Sequence, residues 1–386
     1  MKAVSQRLLA LDVLRGITIA GMILVNNPGS WEKIYAPLRH ASWNGLTPTD
    51  LVFPFFMFIM GISTYISLKK YNFEFSHSAT WKIIKRTIII FAIGLGIAWF
   101  SLFFHTWGFL SNEELSFWSR LGQSAWTFDQ IRILGIMQRL ALCYGVTALI
   151  ALGMKHKNIP YLIASLLFGY FFVLLLGKGF EYNESNILSI VDRAILGANH
   201  IYKDNGIDPE GLLSTIPSIA HVLIGFWCGK LLMEVKDINE KIQRLFLIGT
   251  ILTFLGFLLS YGCPINKKIW SPTYAIVTCG LASSFLALLI WIIDVKGYKK
   301  WSRFFEAFGV NPLFMYVLGG IFSILLSNIQ FNYGEKAISL HGYAYSVILQ
   351  PLFGDYLGSL AFALSFVVVI WAIGYILYRK KIYIKI

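Results

Sequence analysis

PTYAIVTCGLASSFLALLIWII, residues Pro272–Ile293, runs for 22 positions without a charged side chain. At about 1.5 Å per residue, a helix of that length covers the roughly 30 Å hydrocarbon core of a bilayer. Backbone polar groups have no water to bond in lipid, and the stretch lacks the alternation of a barrel strand, so it is a membrane-spanning helix. Working outward, the same reading applies at Leu9–Asn27, Leu51–Leu68, Thr87–Phe104, Gln130–Gly153, Pro160–Gly177, Leu212–Met233, Leu245–Tyr261, Phe305–Ser327 and Tyr356–Tyr378. The expectation is an all-α bundle of about ten spans forming one domain over residues 1–386.

Composition agrees with that reading. Of 386 residues, 56% are hydrophobic and 14% charged, and the mean hydropathy is +0.64. A soluble domain carries about 25% charged residues. The excess of 33 Lys and Arg over 20 Asp and Glu gives a net charge of +13. In a soluble chain this would raise nucleic-acid binding, whereas in a membrane protein it follows from the accumulation of bases in cytoplasmic loops, and no nucleic-acid partner is expected. The four cysteines show no CxxC or Cys/His ligand spacing, so neither a disulfide nor a metal is expected. The first run resembles a signal peptide in length, but Asp12 and Arg15 stand in its early turns and no small-residue cleavage site follows, so it counts as a span.

Alternate loops differ sharply in charge. One side, with both termini, holds 21 bases including Lys2, Arg7, Lys155, Lys157, Lys230 and Lys385, and the other holds nine, among them Lys203, Lys267 and Lys268. The richer side is assigned to the cytoplasm. The outer segments, about 27–50, 105–129, 178–211 and 328–355, are longer than hairpins require, which points function outward. No heptad, low-complexity tract or internal repeat is evident.

The polar residues within and beside the spans carry the chemistry. Asp12 and Arg15 share a face of the first helix, either as a structural ion pair or as an anion holder. Asn26 and Asn27 precede Pro28 at its outer end, where they cap the turn or donate to a ligand. His40, Asn44 and Asp50 crowd the next connection, and Pro54 falls early in the second span, where a missing donor is tolerable. A neutral imidazole takes a proton from an attacking amine or hydroxyl, a carboxylate such as Asp50 fixes its tautomer, and Asn26 or Asn27 donates to an oxyanion. The alternative for His40 is an ordinary loop residue.

Arg132 and Arg139, seven apart with Gln138 beside the second, fall on one face of the predicted fourth span, as structural partners of Asp12, Asp50 or Asp129 or as a cationic track for an anionic substrate. Asn311 precedes Pro312 at a helix break, and His221 is expected only to bond a neighbouring helix. No phosphate-cradling Gly-rich loop, HExxH or GxSxG motif occurs, which withdraws support from ATP-driven transport, zinc proteolysis and serine hydrolysis.

The stretch Arg7–Gly16, then Val25-Asn26-Asn27, then His40–Thr47 and Thr49–Phe56, resembles the heparan-α-glucosaminide N-acetyltransferase family. Ile131–Leu140, Asp208–Gly211 and Gly309–Pro312 are similar to the same family. The resemblance implies a transmembrane acetyltransferase that takes acetyl-CoA from the cytosol and acetylates a terminal amino sugar on the far side, with His40 as the family's active-site histidine. It also implies a homodimer. The shared motif begins at Arg7, so the chain looks like a compact bacterial member in an inner membrane. The opening Leu11–Gly16 is also similar to the broader acyltransferase-3 group, which modifies cell-envelope glycans, so O-acylation stays an alternative. On that resemblance Arg15, Arg139 and Asn311 are candidates to line a route for CoA. His40 serves either as general base or as acetyl carrier. A rival reading is a secondary transporter or flippase for a sugar, which predicts transport without acetyl-CoA turnover.

Overall fold

A computed structural model describes residues 8–384; the motif residue Arg7 and the terminal bases Lys2 and Lys385 lie outside it. The order of elements is α1 (Leu9–Val25), α2 (Thr49–Leu68), α3 (His77–Phe109), α4 (Phe117–Ala125), α5 (Ile136–Gly153), α6 (Ile159–Leu176), α7 (Ile187–Leu196), α8 (Thr215–Glu234), α9 (Ile238–Leu259), α10 (Pro272–Leu289), α11 (Ser302–Gly309) and α12 (Pro312–Asn328). A hairpin of β1 (Gln330–Tyr333) and β2 (Lys336–Ser339) follows, then the short α13 (Leu340–Gly342) and α14 (Gln350–Phe353), and finally α15 (Asp355–Arg379). The small antiparallel hairpin departs from the all-helical expectation: Gly334, with φ 65°, supplies the left-handed turn that closes it.

Among the described residues, eight helices are long and apolar enough to cross a membrane, and the pair α11–α12, bent by 85°, makes a ninth candidate. The bend falls where the sequence predicts a break, at Val310-Asn311-Pro312. The first expected span forms α1, whose 17 residues cover about 26 Å. The third is a much longer helix than expected, 33 residues. The fourth is corrected at its start. Helix α5 begins at Ile136, because Gly135 before it is fully extended (φ −150°, ψ −170°), so Arg132 is not helical and does not share a helical face with Arg139.

Side chains define several starts. Ser76, Asn186, Asp237 and Ser271 accept from backbone amides in the first turns of α3, α7, α9 and α10, and Pro272 opens α10 where its missing N–H costs nothing. Small residues bring backbones together, as membrane helices require where the hydrophobic effect gives no drive between them. A Cβ on Gly61 of α2 would stand 2.1 Å from the Val222 carbonyl oxygen of α8, and one on Gly225 of α8 would stand 2.2 Å from that of Phe58. Helices α1 and α11 meet the same way at Gly16 and Gly309. The main core gathers Ile19, Met57, Met137, Trp270, Tyr274 and Phe308 directly beneath the site described next.

Candidate active site

The connection between α1 and α2 folds back so that Asp50, in the first turn of α2, reaches its carboxylate to the amides of Ala41 and Thr47, both at 3.1 Å from Oδ2. This is the reach-back of an acidic residue at a helix start. The other oxygen, Oδ1, lies 2.6 Å from His40 Nδ1. Asp50 is fully buried, while the His40 side chain is 43% exposed. A carboxylate accepts only, so Nδ1 carries the proton and Nε2 presents its lone pair outward.

The base of α2 is held from a distance. Pro54, the sixth residue of α2, is past the first turn and cannot donate to the Asp50 carbonyl; the buried Tyr274 hydroxyl donates to that carbonyl instead, at 2.7 Å. The missing donor is thus replaced from α10 and not merely tolerated. His221, as expected, bonds a neighbouring helix: its Nε2 donates to Pro54 O at 2.8 Å.

A third side chain, the lysine Lys267, absent from the sequence-based expectation, completes the cluster. Lys267 Nζ lies 3.0 Å from His40 Nδ1, 3.4 Å from Nε2 and 3.5 Å from Asp50 Oδ1. Burial pushes the Lys267 ammonium below the ordinary lysine value, and Asp50 and Glu210 pull it partly back. Its turn, between α9 and α10, is fastened to the His40 loop by Asn266 Nδ2 donating to Asn44 Oδ1 (3.1 Å) and by the Gly45 amide donating to Ile265 O (2.8 Å). Beside it, Lys268 pairs with Asp204 at 2.8 Å and donates to the Tyr182 hydroxyl, whose ring stacks on Trp43 at 4.5 Å. Two adjacent lysines in a short loop on the base-poor side were the available signal.

These groups border a cavity of about 530 Å³. Its rim is polar, with His40, Lys267, Lys268 and Asp204, and its floor is apolar, with Met22, Val25, Val52, Phe53 and Ile136 pointing into the bundle. Asn26, the C-terminal cap of α1, lines it too. Arg132 stands in the wall, its Nε donating to Asp208 Oδ2 (3.1 Å) and its Nη2 to Glu210 Oε2 (2.6 Å), above the Tyr202 ring. Burial opposes the Arg132 charge, yet these two carboxylates outweigh it and hold the guanidinium above its ordinary value.

The remaining predicted site residues lie elsewhere. Asn27 is buried and bonds back to Ile23 O, and the exposed Asn44 serves the tether just described. Gln138 is buried against Gly94 of α3. Arg139 is 1% exposed and donates to Gly211 O, Ser214 and Ser218 while lying over Trp270. Asp12 and Arg15 pair at 3.0 Å, and Arg15 also donates to Ser63 and Gly309 O, eleven residues or about 16 Å along α1 from Asn26. Asn311 holds the chain end by donating to Ile382 O and accepting from the Ile384 amide. The structure therefore joins His40, Asn26 and Arg132 at one cavity, with Asp50 buried behind His40, and leaves the others behind or beneath it. Among the described residues no group of three His, Cys, Asp or Glu side chains is arranged to hold a metal ion.

The chain is 29% identical to human heparan-alpha-glucosaminide N-acetyltransferase, with all of this chain and 61% of that protein covered. It is 28% identical to the mouse protein of the same name, with 81% of this chain and 53% of that protein covered. It spans between about half and three-fifths of the length of these relatives. The profile described as "Heparan-alpha-glucosaminide N-acetyltransferase, catalytic" matches residues 7–263, a range that holds His40, Asp50 and Arg132 and stops short of Lys267. By that match over most of its length, the chain belongs to the heparan-alpha-glucosaminide N-acetyltransferase family.

Proposed function

We propose that this protein is a membrane acetyltransferase that moves the acetyl group of acetyl-CoA to the amine of an amino sugar, with His40 as general base. The observation that carries this reading is the 2.6 Å contact between His40 Nδ1 and the buried Asp50 carboxylate at the rim of the cavity. An imidazole so oriented offers Nε2 to a proton donor in the cavity. The acceptor nitrogen attacks the thioester carbonyl carbon and gives a proton to Nε2. The carbon–sulfur bond then breaks, and the sulfur leaves with a proton as CoA thiol. Asn26 and the Lys267 ammonium flank the acyl oxygen as negative charge develops. The apolar floor suits a pantetheine arm and the polar rim a sugar. In this reading the donor arrives from the Arg15 end of α1, which faces the cytoplasm of a bacterial inner membrane, and the acceptor meets His40 on the outer side.

The alternative in which His40 carries the acetyl group as an acyl-imidazole requires a charged intermediate in a partly dry site, which makes direct transfer the favoured route. The test uses the purified full chain in detergent with acetyl-CoA and glucosamine, comparing thiol release by the native protein and His40→Ala. Acceptor-dependent release that falls by about two to four orders of magnitude in the variant supports the reading, as expected for loss of a general base. Equal release in both removes His40 from the chemistry. Protein-bound radiolabelled acetyl without acceptor reverses the order of steps.

A further inference from the structure

At the end of the bundle opposite His40 lies a second cavity, of about 570 Å³, bordered by Asn72, Phe73, Lys155, His156, Lys157 and Lys230. It sits where α2 and α5 end and α6 begins, whereas the His40 cavity sits where α2 and α5 start. The length of α2, 20 residues, separates the two by about 30 Å. Between them α2 and α8 pack closely, their backbones touching at Gly61 and Gly225 and burying Tyr65, Leu223 and Phe226.

A bias of bases toward one face of the membrane accounts for lysines at this end. It does not account for their arrangement. The border carries three lysines and no acid, and among the described residues neither Lys155 nor Lys157 has a carboxylate within ion-pair distance. Lys230 is 4.0 Å from Glu234 and lies over the Trp227 ring. The floor is fixed: His156 donates from Nε2 to Ala151 O at 3.1 Å and meets the Phe73 and Phe226 rings edge-on at 4.4 and 5.3 Å. Asn72 and Phe73 are both left-handed, with φ 51° and 56°, a conformation that non-glycine residues adopt at a cost and that sets Phe73 against His156. Three lysines, two of them with no carboxylate partner, around an aromatic-backed hollow are suited to a phosphate ester.

We propose that this hollow is a binding site for a phosphate-bearing ligand, held by Lys155, Lys157 and Lys230 and separate from the acetyl-transfer cavity. The phosphate belongs either to a phospholipid headgroup or to a soluble phosphate ester, and the two share the same recognition. The site does not depend on the transferase reading, because its assay measures binding and not turnover.

The experiment is native mass spectrometry of the delipidated full chain, titrated in parallel with phosphatidylglycerol, phosphatidylcholine and glycerol phosphate. The variants are Lys155→Gln/Lys157→Gln and, as a charge-matched control at the same end, Lys236→Gln/Lys241→Gln. Binding of phosphatidylglycerol that falls roughly tenfold or more in the first variant only, with phosphatidylcholine unchanged, establishes the site with a lipid occupant. The same loss seen only with glycerol phosphate establishes it with a soluble one. Equal binding by native protein and first variant, equal losses in both variants, or no binding of any phosphate probe overturns the proposal. A Lys230→Gln variant guards against misfolding of the double variant and is expected to follow it in direction.

Discussion

Lys267 is the residue whose charge most needs explaining, since burial disfavours it and yet it stands within 3.5 Å of both His40 and Asp50. A lysine pushed below its ordinary value loses its proton at lower pH than a free one, so any activity that depends on the ammonium fails early on the alkaline side. The expected pH–rate profile therefore has an alkaline limb beginning below about pH 10.5, the ordinary lysine value. Lys267→Gln lowers kcat by roughly tenfold to a hundredfold, the worth of one charge-assisted hydrogen bond at about 1.5–3 kcal/mol, and abolishes that limb. Lys267→Arg keeps the charge and moves the limb upward. Superimposable alkaline limbs for the native protein and Lys267→Gln would remove Lys267 from the reaction. His40 and Asp50 were legible in the sequence because ten residues in one loop confine them to each other's reach. Lys267 was not, being 227 residues from His40, and no local pattern reports which distant loop a helix bundle folds across its mouth.

At the scale of elements, the wall of the cavity depends on how α7 holds the turn Asp208–Gly211. Asp192 of α7 is fully buried; its Oδ1 accepts from the Leu212 amide at 2.8 Å, and its Oδ2 has no partner. Gly211 is required beside it, because a Cβ there would come within 1.9 Å of that oxygen. Burial raises the Asp192 carboxyl to about 6 from 3.8, with Asp208 adding and the Leu212 amide and Arg139 opposing. A carboxyl raised on folding binds its proton more tightly in the folded chain. Its stabilising contribution is therefore complete below about pH 3.8 and is lost as the pH climbs through about 6. Asp192→Asn has no such titration, so its melting temperature should gain on the native protein between pH 5 and 7.5, by the equivalent of on the order of 1 kcal/mol. Melting curves that shift in parallel across that range would show that Asp192 does not titrate there. Apolar runs located most helices, but they ran through the break before α5, because Ile131–Ile136 is apolar apart from Arg132 while the extended Gly135 stops the helix. The turn that pairs Arg132 with Asp208 and Glu210 was hidden for the same reason. Hydropathy measures burial in lipid and not backbone direction, so an extended apolar approach and a helix read alike.

The whole molecule is polarised. One end carries His40, Lys267 and the acidic segment around Asp204–Glu210, and the other carries Arg15, the chain end held by Asn311, and the lysines around His156. If acetyl-CoA enters from the cytoplasm and the amino sugar waits outside, these ends must face opposite compartments, and the base count assigns the His40 end to the outside. All four native cysteines, Cys143, Cys228, Cys263 and Cys279, are buried and unpaired, so a single introduced cysteine reports its side of the membrane against a quiet background. Glu32→Cys lies exposed in the loop that bears His40, outside the cavity border, and Lys236→Cys lies exposed at the other end. A membrane-impermeant maleimide applied to intact cells is expected to label the first and to reach the second only after the cells are opened. Labelling in the reverse order would place His40 on the side of the acetyl-CoA pool. Transfer would then need no passage of the thioester through the bundle, and the apolar floor of Met22, Val25, Val52, Phe53 and Ile136 would be only core packing.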